Sequence, residues 1–137
     1  GGGGLLSGTA LSAHYFSSHA KVTACEPAGA DDAYRSFYGG KRVPSIHPDT
    51  LADGLLTSLG DFTFPIIQKY VDAVVTVEEE SIVEAMRMVF ERMKMVIEPS
   101  SSVPLAAVLE GKVDVKAKKV GIIVSGGNVD LDHLPWQ

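Results

Sequence analysis

The sequence predicts an α/β fold in which helices flank a parallel sheet. Short β-branched runs alternate along the chain with segments of helical periodicity, which is the pattern of βαβ units. Several of these runs are apolar at consecutive positions, as expected for strands that are buried on both faces of a parallel sheet. Both observations favour one α/β domain with helices on the two faces of the sheet.

Composition limits the class of protein. Of the 137 residues, 45% are hydrophobic and 21% are charged, as in a folded globular domain. The net charge of −5 provides no basic face for nucleic acid, and no apolar run approaches the ~20 residues that cross a bilayer. The single cysteine, Cys25, cannot form an internal disulfide, which favours a reducing, cytoplasmic location. Neither nucleic acid nor a membrane is an expected partner.

The first part of the chain predicts two helices and a strand. Small and apolar residues predict a helix over 4–16 that packs closely on a sheet, and residues 21–25 predict a short strand. A second helix is expected over 30–38, ended by the glycine pair at 39–40. Residues 41–60 are irregular and interrupted by proline and glycine. Long loops of this kind are often functional.

The middle of the chain predicts a helix over 64–71, a strand over 72–77 and then the clearest helix of the sequence. The spacing of Thr76 and Glu79 predicts a capping box at the start of that helix. Its apolar residues recur every three or four positions, and Pro99 is expected to end it. The apolar repeat consists of Ile82, Met86, Val89, Met93 and Val96.

A further helix is expected over 102–109, followed by a buried strand over 119–124 that leads into Ser125. A hydroxyl at the carboxyl end of a buried strand lies where open α/β sheets bind their ligands. Ser125 is therefore a candidate contact to a ring nitrogen. The alternative is an ordinary tight turn, because Ser-Gly-Gly-Asn is a common turn composition.

Four glycines at 1–4 directly precede the first helix. Their backbone N–H groups can turn toward one point, and the helix adds its positive N-terminus, so this segment is a candidate phosphate site. No Lys-Ser or Lys-Thr pair follows at the spacing of a P-loop. The alternative is a flexible linker. A glycine loop of this kind normally follows a strand, so the chain is expected to be part of a longer protein.

Three carboxylates, those of Glu26, Asp31 and Asp32, follow the first predicted strand within seven residues. If Glu26 leaves the strand end and Asp32 returns from the first helical turn, a carbonyl between them supplies a third oxygen ligand. Such a set suits magnesium or calcium. The alternative is that Asp31 and Asp32 cap the helix, which is the commoner role of acidic residues at that position.

Six segments together resemble one enzyme family. In chain order they are Gly-Gly-Gly-Gly-Leu, Glu-Pro-Ala-Gly-Ala-Asp-Asp, Leu-Ala-Asp-Gly-Leu, Glu-Arg-Met-Lys, Ile-Glu-Pro-Ser-Ser and Ser-Gly-Gly-Asn-Val-Asp. Their order and approximate spacing are similar to those in the C-terminal part of the serine racemase and threonine dehydratase family of fold-type II pyridoxal-phosphate enzymes. The resemblance implies that residues 1–137 are a partial cofactor-binding domain with a tryptophan synthase β-like fold.

The resemblance also implies a role for each matching residue. Those it assigns to pyridoxal 5′-phosphate are Gly1, Gly2, Gly3, Gly4, Gly54 and Ser125. Those it assigns to Mg²⁺ or Ca²⁺ are Glu26, Asp32 and the carbonyl of Ala30. Those it assigns to ATP, as an allosteric effector at a subunit interface, are Lys94 and Asn128. Glu98 would have a supporting role near the cofactor.

The family's Schiff-base lysine, and the serine that protonates the opposite face of the substrate, match no residue of this chain, so no catalytic residue is assigned. For the full-length enzyme, expected to be a homodimer, the resemblance implies interconversion of L- and D-serine. Conversion of serine, or of threonine, with loss of ammonia would compete; from serine it gives pyruvate. Two alternatives remain: a serine or threonine dehydratase without racemase activity, and a non-catalytic remnant that binds nucleotide and metal.

Overall fold

The sheet has two parallel strands in the computed structural model, which describes residues 1–17 and 19–137. The strands are β1 (Thr23–Pro27) and β2 (Ala73–Val77), and they pair in register from one end to the other. Five α-helices accompany them: α1 (Gly4–Phe16), α2 (Asp32–Gly39), α3 (Thr63–Tyr70), α4 (Glu79–Met88) and α5 (Pro99–Leu109). In the described ranges, none of the helices combines the length and the apolar character that crossing a bilayer requires.

Apolar cores cover both faces of this sheet. Val74 and Val77 point to opposite faces because side chains alternate along a strand. Val74 belongs to a buried cluster that includes Ile67 of α3. Val77 packs in a second cluster with Ile82 of α4 and Val103 of α5. Burial on both faces explains the β-branched run over 74–77 of β2, and the predicted α/β fold is confirmed.

Most predicted elements are confirmed within a few residues. The helix predicted over 4–16 has the bounds of α1, and the helix predicted over 64–71 is α3, which begins one residue earlier. The strand predicted over 21–25 is β1, shifted two residues later. The last helix begins at Pro99, three residues before the predicted start, because proline fits the first turn of a helix, where its missing N–H leaves no acceptor unpaired.

The predicted capping box before α4 is wrong. Thr76 lies inside β2, which continues to Val77, and no side chain caps α4. The N–H of Glu78, at the helix N-cap, instead donates to Oε1 of Glu110 at 2.8 Å. A carboxylate that follows α5 thus satisfies a free amide at this helix end, and the local Thr-Glu pair does not.

The apolar repeat of α4 is buried only as far as Val89. The helix ends at Met88 and passes into a π-helical turn over Val89–Met93, after which Lys94 takes a left-handed conformation with φ 59°. Met93 is 61% exposed as a result. The prediction that Pro99 ends this helix is therefore wrong, because the chain has already left the helical conformation five residues earlier.

The buried strand predicted over 119–124 is also not observed. These residues are irregular and exposed, with Ile123 47% exposed, and within the described part of the chain neither β1 nor β2 pairs with them. A strand needs a hydrogen-bonding neighbour, and apolar composition alone does not supply one.

The long irregular segment is held against the turn after β1 by a contact at Gly29. The carbonyl of Gly29 accepts a hydrogen bond from the N–H of Asp49 at 2.9 Å. A Cβ atom at Gly29 would overlap the carbonyl oxygen of Asp49, so only glycine allows this approach.

Replacement of Gly29 by alanine should therefore force the two segments apart. We expect Gly29→Ala to lower the free energy of unfolding of the full-length protein by about 1–3 kcal/mol, the usual cost of overpacking. Chemical denaturation measures this change. Gly39→Ala is the matched control, because a Cβ at Gly39 meets nothing within 4 Å. Equal losses of unfolding free energy in Gly29→Ala and Gly39→Ala would contradict the close contact of Gly29 with Asp49.

Candidate functional site

A cavity of about 470 Å³ lies beside β1 and the start of α1. Three further segments line it: the loop at Gly54, the beginning of α5 with Glu98 and Ser100, and the extended segment 121–125. Its volume is sufficient for a small ligand or cofactor. Most of its surface is apolar, and its polar groups come from a small number of residues.

The oligoglycine at 1–4 is tied to the loop before α3. The carbonyl of Gly2 accepts hydrogen bonds from the N–H of Gly60 at 3.1 Å and from Oγ1 of Thr63 at 2.6 Å. Oγ1 of Thr63 also accepts from the N–H of Gly60 at 3.0 Å. This small network fixes the carbonyl of Gly2.

The N-terminus of α1 provides a site for an anion. No side chain caps the helix, and no acidic residue lies in its first turn. Its first N–H groups have no acceptor within the helix, and the helix dipole gives this end a partial positive charge. Gly3 precedes it with φ 86°, and a Cβ there would lie 2.8 Å from Cδ1 of Ile67. Glycine at this position therefore lets the backbone reach the cavity, where a phosphate suits the exposed amides.

Gly54 and Ser125 line the same cavity from other directions. The N–H of Gly54 donates to Oγ of Ser100 at 3.2 Å, and a Cβ at Gly1 would lie 2.9 Å from the carbonyl oxygen of Gly54. This loop is thus pressed between the oligoglycine and the start of α5. The structure brings together around one cavity all six residues assigned to the cofactor from the sequence.

Glu26 is the buried carboxylate at the end of β1 and is only 5% exposed. Its Oε1 accepts from the N–H of Ala33 at 3.2 Å and its Oε2 from the N–H of Tyr34 at 2.7 Å. Burial raises the pKa of Glu26 to about 7, although these two N–H groups act to lower it. The carboxylate of Glu26 in β1 thus supplies acceptors for two N–H groups in the first turn of α2.

Asp32 is 1% exposed and faces inward. Its Oδ2 accepts from the N–H of Leu59 at 3.2 Å, whereas its Oδ1 is buried without a hydrogen-bond partner among the described residues. Burial raises the pKa of this carboxyl as well. Asp31 pairs with Nε of Arg35 at 2.8 Å. Neither aspartate caps α2 through its side chain, so that alternative is wrong.

The residues present fit a divalent cation in one respect. A buried carboxylate oxygen without a partner, Oδ1 of Asp32, costs free energy that a cation would recover. Ala30, whose carbonyl was assigned to the same ion, is buried in the 3₁₀ turn Ala28–Ala30 between the two carboxylates. In the described part of the chain, no group of three or more His, Cys, Asp or Glu side chains is arranged for a metal, so a backbone oxygen is needed.

The residues assigned to ATP do not line the cavity. Lys94 and Asn128 are both exposed. Nζ of Lys94 donates to the carbonyl of Glu91 at 2.7 Å, and the N–H of Asn128 donates to Oε2 of Glu98 at 2.9 Å. Any ligand shared by these two residues would bind outside the cavity.

Sequence reasoning missed two serines at the start of α5. Ser100 contacts Gly54, and Ser101 contacts Gly126, the residue after Ser125. The signal was present in the run of hydroxyl residues after Pro99, because serines in the first helical turn often bond to neighbouring backbone groups. Their partners were not visible, since they lie 25 or more residues away in sequence.

Comparison with known proteins identifies the family. The family described as "Pyridoxal-phosphate dependent enzyme" matches residues 1–126. A serine racemase from Dictyostelium discoideum is 53% identical over 139 residues, covering 98% of this chain and 43% of the relative. A β-hydroxyaspartate dehydratase from Paracoccus denitrificans (strain Pd 1222) is 46% identical over 136 residues, covering 99% of this chain and 43% of the relative.

Solved structures show the same relationship. A T.th. threonine deaminase superposes with a TM-score of 0.89 at 45% identity, covering 95% of this chain and 48% of that structure. The chain therefore spans less than half the length of the relatives that it matches. The likeness extends over nearly all of the described chain, including each segment that lines the cavity. This chain belongs to the family of pyridoxal-phosphate-dependent enzymes.

Proposed function

We propose that this chain is part of the cofactor-binding domain of a pyridoxal-phosphate-dependent serine racemase that also converts serine to pyruvate and ammonia. One observation carries the proposal: Gly1–Gly4, Gly54 and Ser125 surround a single cavity of about 470 Å³. The identity of 53% to a serine racemase supports the choice of reaction.

At one end of the cavity the oligoglycine and α1 bind the cofactor phosphate. The free N–H groups at the start of α1 donate to the phosphate oxygens, and the positive end of the helix dipole favours the anion. Because Gly2 is held by Gly60 and Thr63, these donors are oriented before the phosphate arrives. Held in this way, the oligoglycine and α1 would anchor the cofactor by its phosphate.

At the other end Ser125 binds the ring nitrogen. When bound, pyridoxal phosphate supplies an electron sink for the carbon that loses its proton. The hydroxyl of Ser125 donates a hydrogen bond to the nitrogen and keeps its own proton, whereas a carboxylate there would hold a proton on the nitrogen. The weaker electron withdrawal leaves reprotonation and loss of the β-hydroxyl in competition, which is the basis for two products.

The apolar walls restrict water around the reacting groups. Leu6, Val74 and Pro104 are among the apolar residues that line the cavity. Exclusion of water strengthens the hydrogen bonds at the phosphate and at the ring nitrogen.

We also propose that Glu26, Asp32 and the carbonyl of Ala30 bind a divalent cation. The unpartnered Oδ1 of Asp32 and the burial of both carboxylates support it, because two buried anions repel each other unless a cation neutralises them. The site lies where β1 meets α2, so an ion there stabilises one wall of the cavity. ATP binding at Lys94 and Asn128, a homodimer and a cytoplasmic location stay predictions.

A dehydratase without racemase activity is the second candidate. The β-hydroxyaspartate dehydratase and the threonine deaminase carry the same segments at 45% to 46% identity. These relatives share the cavity-lining part of the fold, so the fold of this part is common to both reactions, and only the higher identity to a serine racemase favours the first.

The reaction is tested with the full-length protein and L-serine. We expect D-serine, measured by chiral chromatography, and pyruvate, measured with a coupled dehydrogenase. Ser125→Ala should lower both rates by roughly fivefold to tenfold, because the lost hydrogen bond is worth about 1 kcal/mol. Pyruvate without D-serine would support the dehydratase. The absence of both products would support the non-catalytic remnant.

Phosphate binding is tested at Gly3. We expect Gly3→Ala to weaken pyridoxal-phosphate binding on the order of tenfold or more, since a side chain is strained at φ 86° and would lie 2.8 Å from Ile67. Absorbance titration of the cofactor-free protein measures this affinity. Gly8→Ala, in the same helix, meets nothing within 4 Å and is the control. Unchanged affinity in Gly3→Ala would contradict the phosphate site.

The cation site is tested by thermal unfolding of the full-length protein with and without Mg²⁺ or Ca²⁺. The pKa of Glu26 is raised from 4.5 to about 7 in the folded state, so the folded protein binds more protons than the unfolded chain between these values. Without the cation, the free energy of unfolding of the protein should therefore fall as the pH rises from 4.5 to about 7. A cation at 100 times its Kd should restore about 2.7 kcal/mol, with the larger effect above pH 7.

Two variants separate this cation site from other causes. Glu26→Gln should remove both the pH dependence and the effect of the cation. Asp31→Asn should preserve both, because Asp31 is a partly exposed partner of Arg35 and is not assigned to the ion. Equal responses of the two variants would count against the site.

A further inference from the structure

The hydroxyl of Ser101 holds both backbone polar groups of one residue, Gly126, in the segment that carries Ser125. Ser101 lies in the first turn of α5 and is 2% exposed. Its Oγ donates to the carbonyl of Gly126 at 2.9 Å and accepts from the N–H of the same residue at 2.8 Å. A serine hydroxyl has one donor and can accept as well, so one side chain satisfies both backbone groups of Gly126.

This contact lies directly beside Ser125. In the described ranges neither β1 nor β2 pairs with residues 119–124. The hydrogen bonds to α5 and its N-cap lie directly after Ser125. Besides those of Ser101, the N–H of Glu98 donates to the carbonyl of Gly126 at 3.1 Å, and the N–H of Asn128 donates to Glu98.

The fit is tight at the same point. A Cβ at Gly126 would lie 2.6 Å from the carboxylate of Glu98, and a Cβ at Gly127 would lie 2.9 Å from the carbonyl oxygen of Val96. Two adjacent glycines allow this approach but have many conformations open to them. Hydrogen bonds must therefore select one conformation, and Ser101 supplies two of them.

We propose that Ser101 is a positioning residue that directs the hydroxyl of Ser125 to the ring nitrogen of the cofactor. The N–H that Ser101 accepts belongs to the peptide bond between Ser125 and Gly126, so the hydrogen bond fixes the backbone orientation of Ser125. This inference rests on the proposed function, because it takes the ring contact of Ser125 as given. Ser101 itself does not line the cavity.

The neighbouring Ser102 offers a matched control. It is 0% exposed, and its Oγ lies 3.1 Å from the carbonyl of Ile82 and 2.7 Å from that of Pro99, so it also makes buried hydrogen bonds. None of them reaches the segment that carries Ser125. Ser102→Ala therefore reproduces the loss of a buried hydroxyl without releasing Gly126.

The first experiment needs no bound cofactor. Hydrogen exchange by mass spectrometry is measured across residues 121–128 of the cofactor-free full-length protein. We expect exchange there to become at least tenfold faster in Ser101→Ala, whereas Ser102→Ala should match the wild type in this segment. Ser101→Thr, which keeps the hydroxyl, should restore slow exchange. Equal exchange in Ser101→Ala and the wild type would overturn the proposal.

The second experiment uses the holoenzyme and a double-mutant cycle. Ser101→Ala should lower kcat on the order of tenfold with little change in KM and should shift the fluorescence of bound pyridoxal phosphate. In a Ser125→Ala background, Ser101→Ala should have almost no further effect, because both act through one hydroxyl. Full additivity would overturn the positioning role. If Ser101→Ala fails to fold, Gly126→Ala breaks the same contact from the other side and should give the same spectral shift.

Failure of the ring contact of Ser125 and failure of the positioning role of Ser101 give different results. If Ser125→Ala leaves cofactor fluorescence and turnover unchanged, the proposed ring contact fails, whatever hydrogen exchange shows. If Ser125→Ala has its expected effect but Ser101→Ala behaves like Ser102→Ala, the proposed function stands and the role of Ser101 is refuted.

Discussion

Close approach of backbone segments around one cavity is the constraint on which the rest of the structure depends. The oligoglycine contacts the loop before α3, the loop at Gly54 contacts the oligoglycine, and Gly126 contacts the start of α5. At Gly1, Gly3 and Gly126 a single added carbon would overlap a neighbour. Glycine permits these contacts but does not stabilise them, so each depends on nearby hydrogen bonds from Thr63, Ser100 or Ser101.

The parts of the fold that local patterns determine could be predicted from the sequence. Helices α1, α3 and α5 and both strands follow periodicity, proline and β-branched composition. The predictions that are wrong, the strand over 119–124 and the capping box before α4, have another origin. Residues 119–124 have the composition of a strand but pair with neither β1 nor β2 in the described ranges. The N–H of Glu78, before α4, donates to Glu110, a partner that no local rule could identify. Pairing and long-range capping depend on which segments meet in three dimensions.

The same distinction applies to the candidate site. Glycine-rich and hydroxyl-containing turns could be recognised because their chemistry lies in consecutive residues, and the structure brings them to one cavity. The position of Glu26 could be read from the sequence, but its contacts with the first turn of α2 could not. Glu26 therefore has two roles. Its carboxylate accepts hydrogen bonds from the first turn of α2, and it interacts with the second buried carboxylate, that of Asp32. Oδ1 of Asp32 has no hydrogen-bond partner among the described residues, and no sequence pattern indicated this.

The exposed run 119–124 has a consequence for how the protein is made. In the described part of the chain its β-branched side chains are exposed and its backbone groups pair with neither strand, so any state in which the run stays uncovered is a template for another extended chain, including a second copy of the same run. During synthesis, correct pairing must therefore compete with aggregation, which rises with concentration while intramolecular folding does not. The yield of native protein is then set by the speed at which this run is covered, and slow synthesis at low temperature favours recovery more than any gain in final stability.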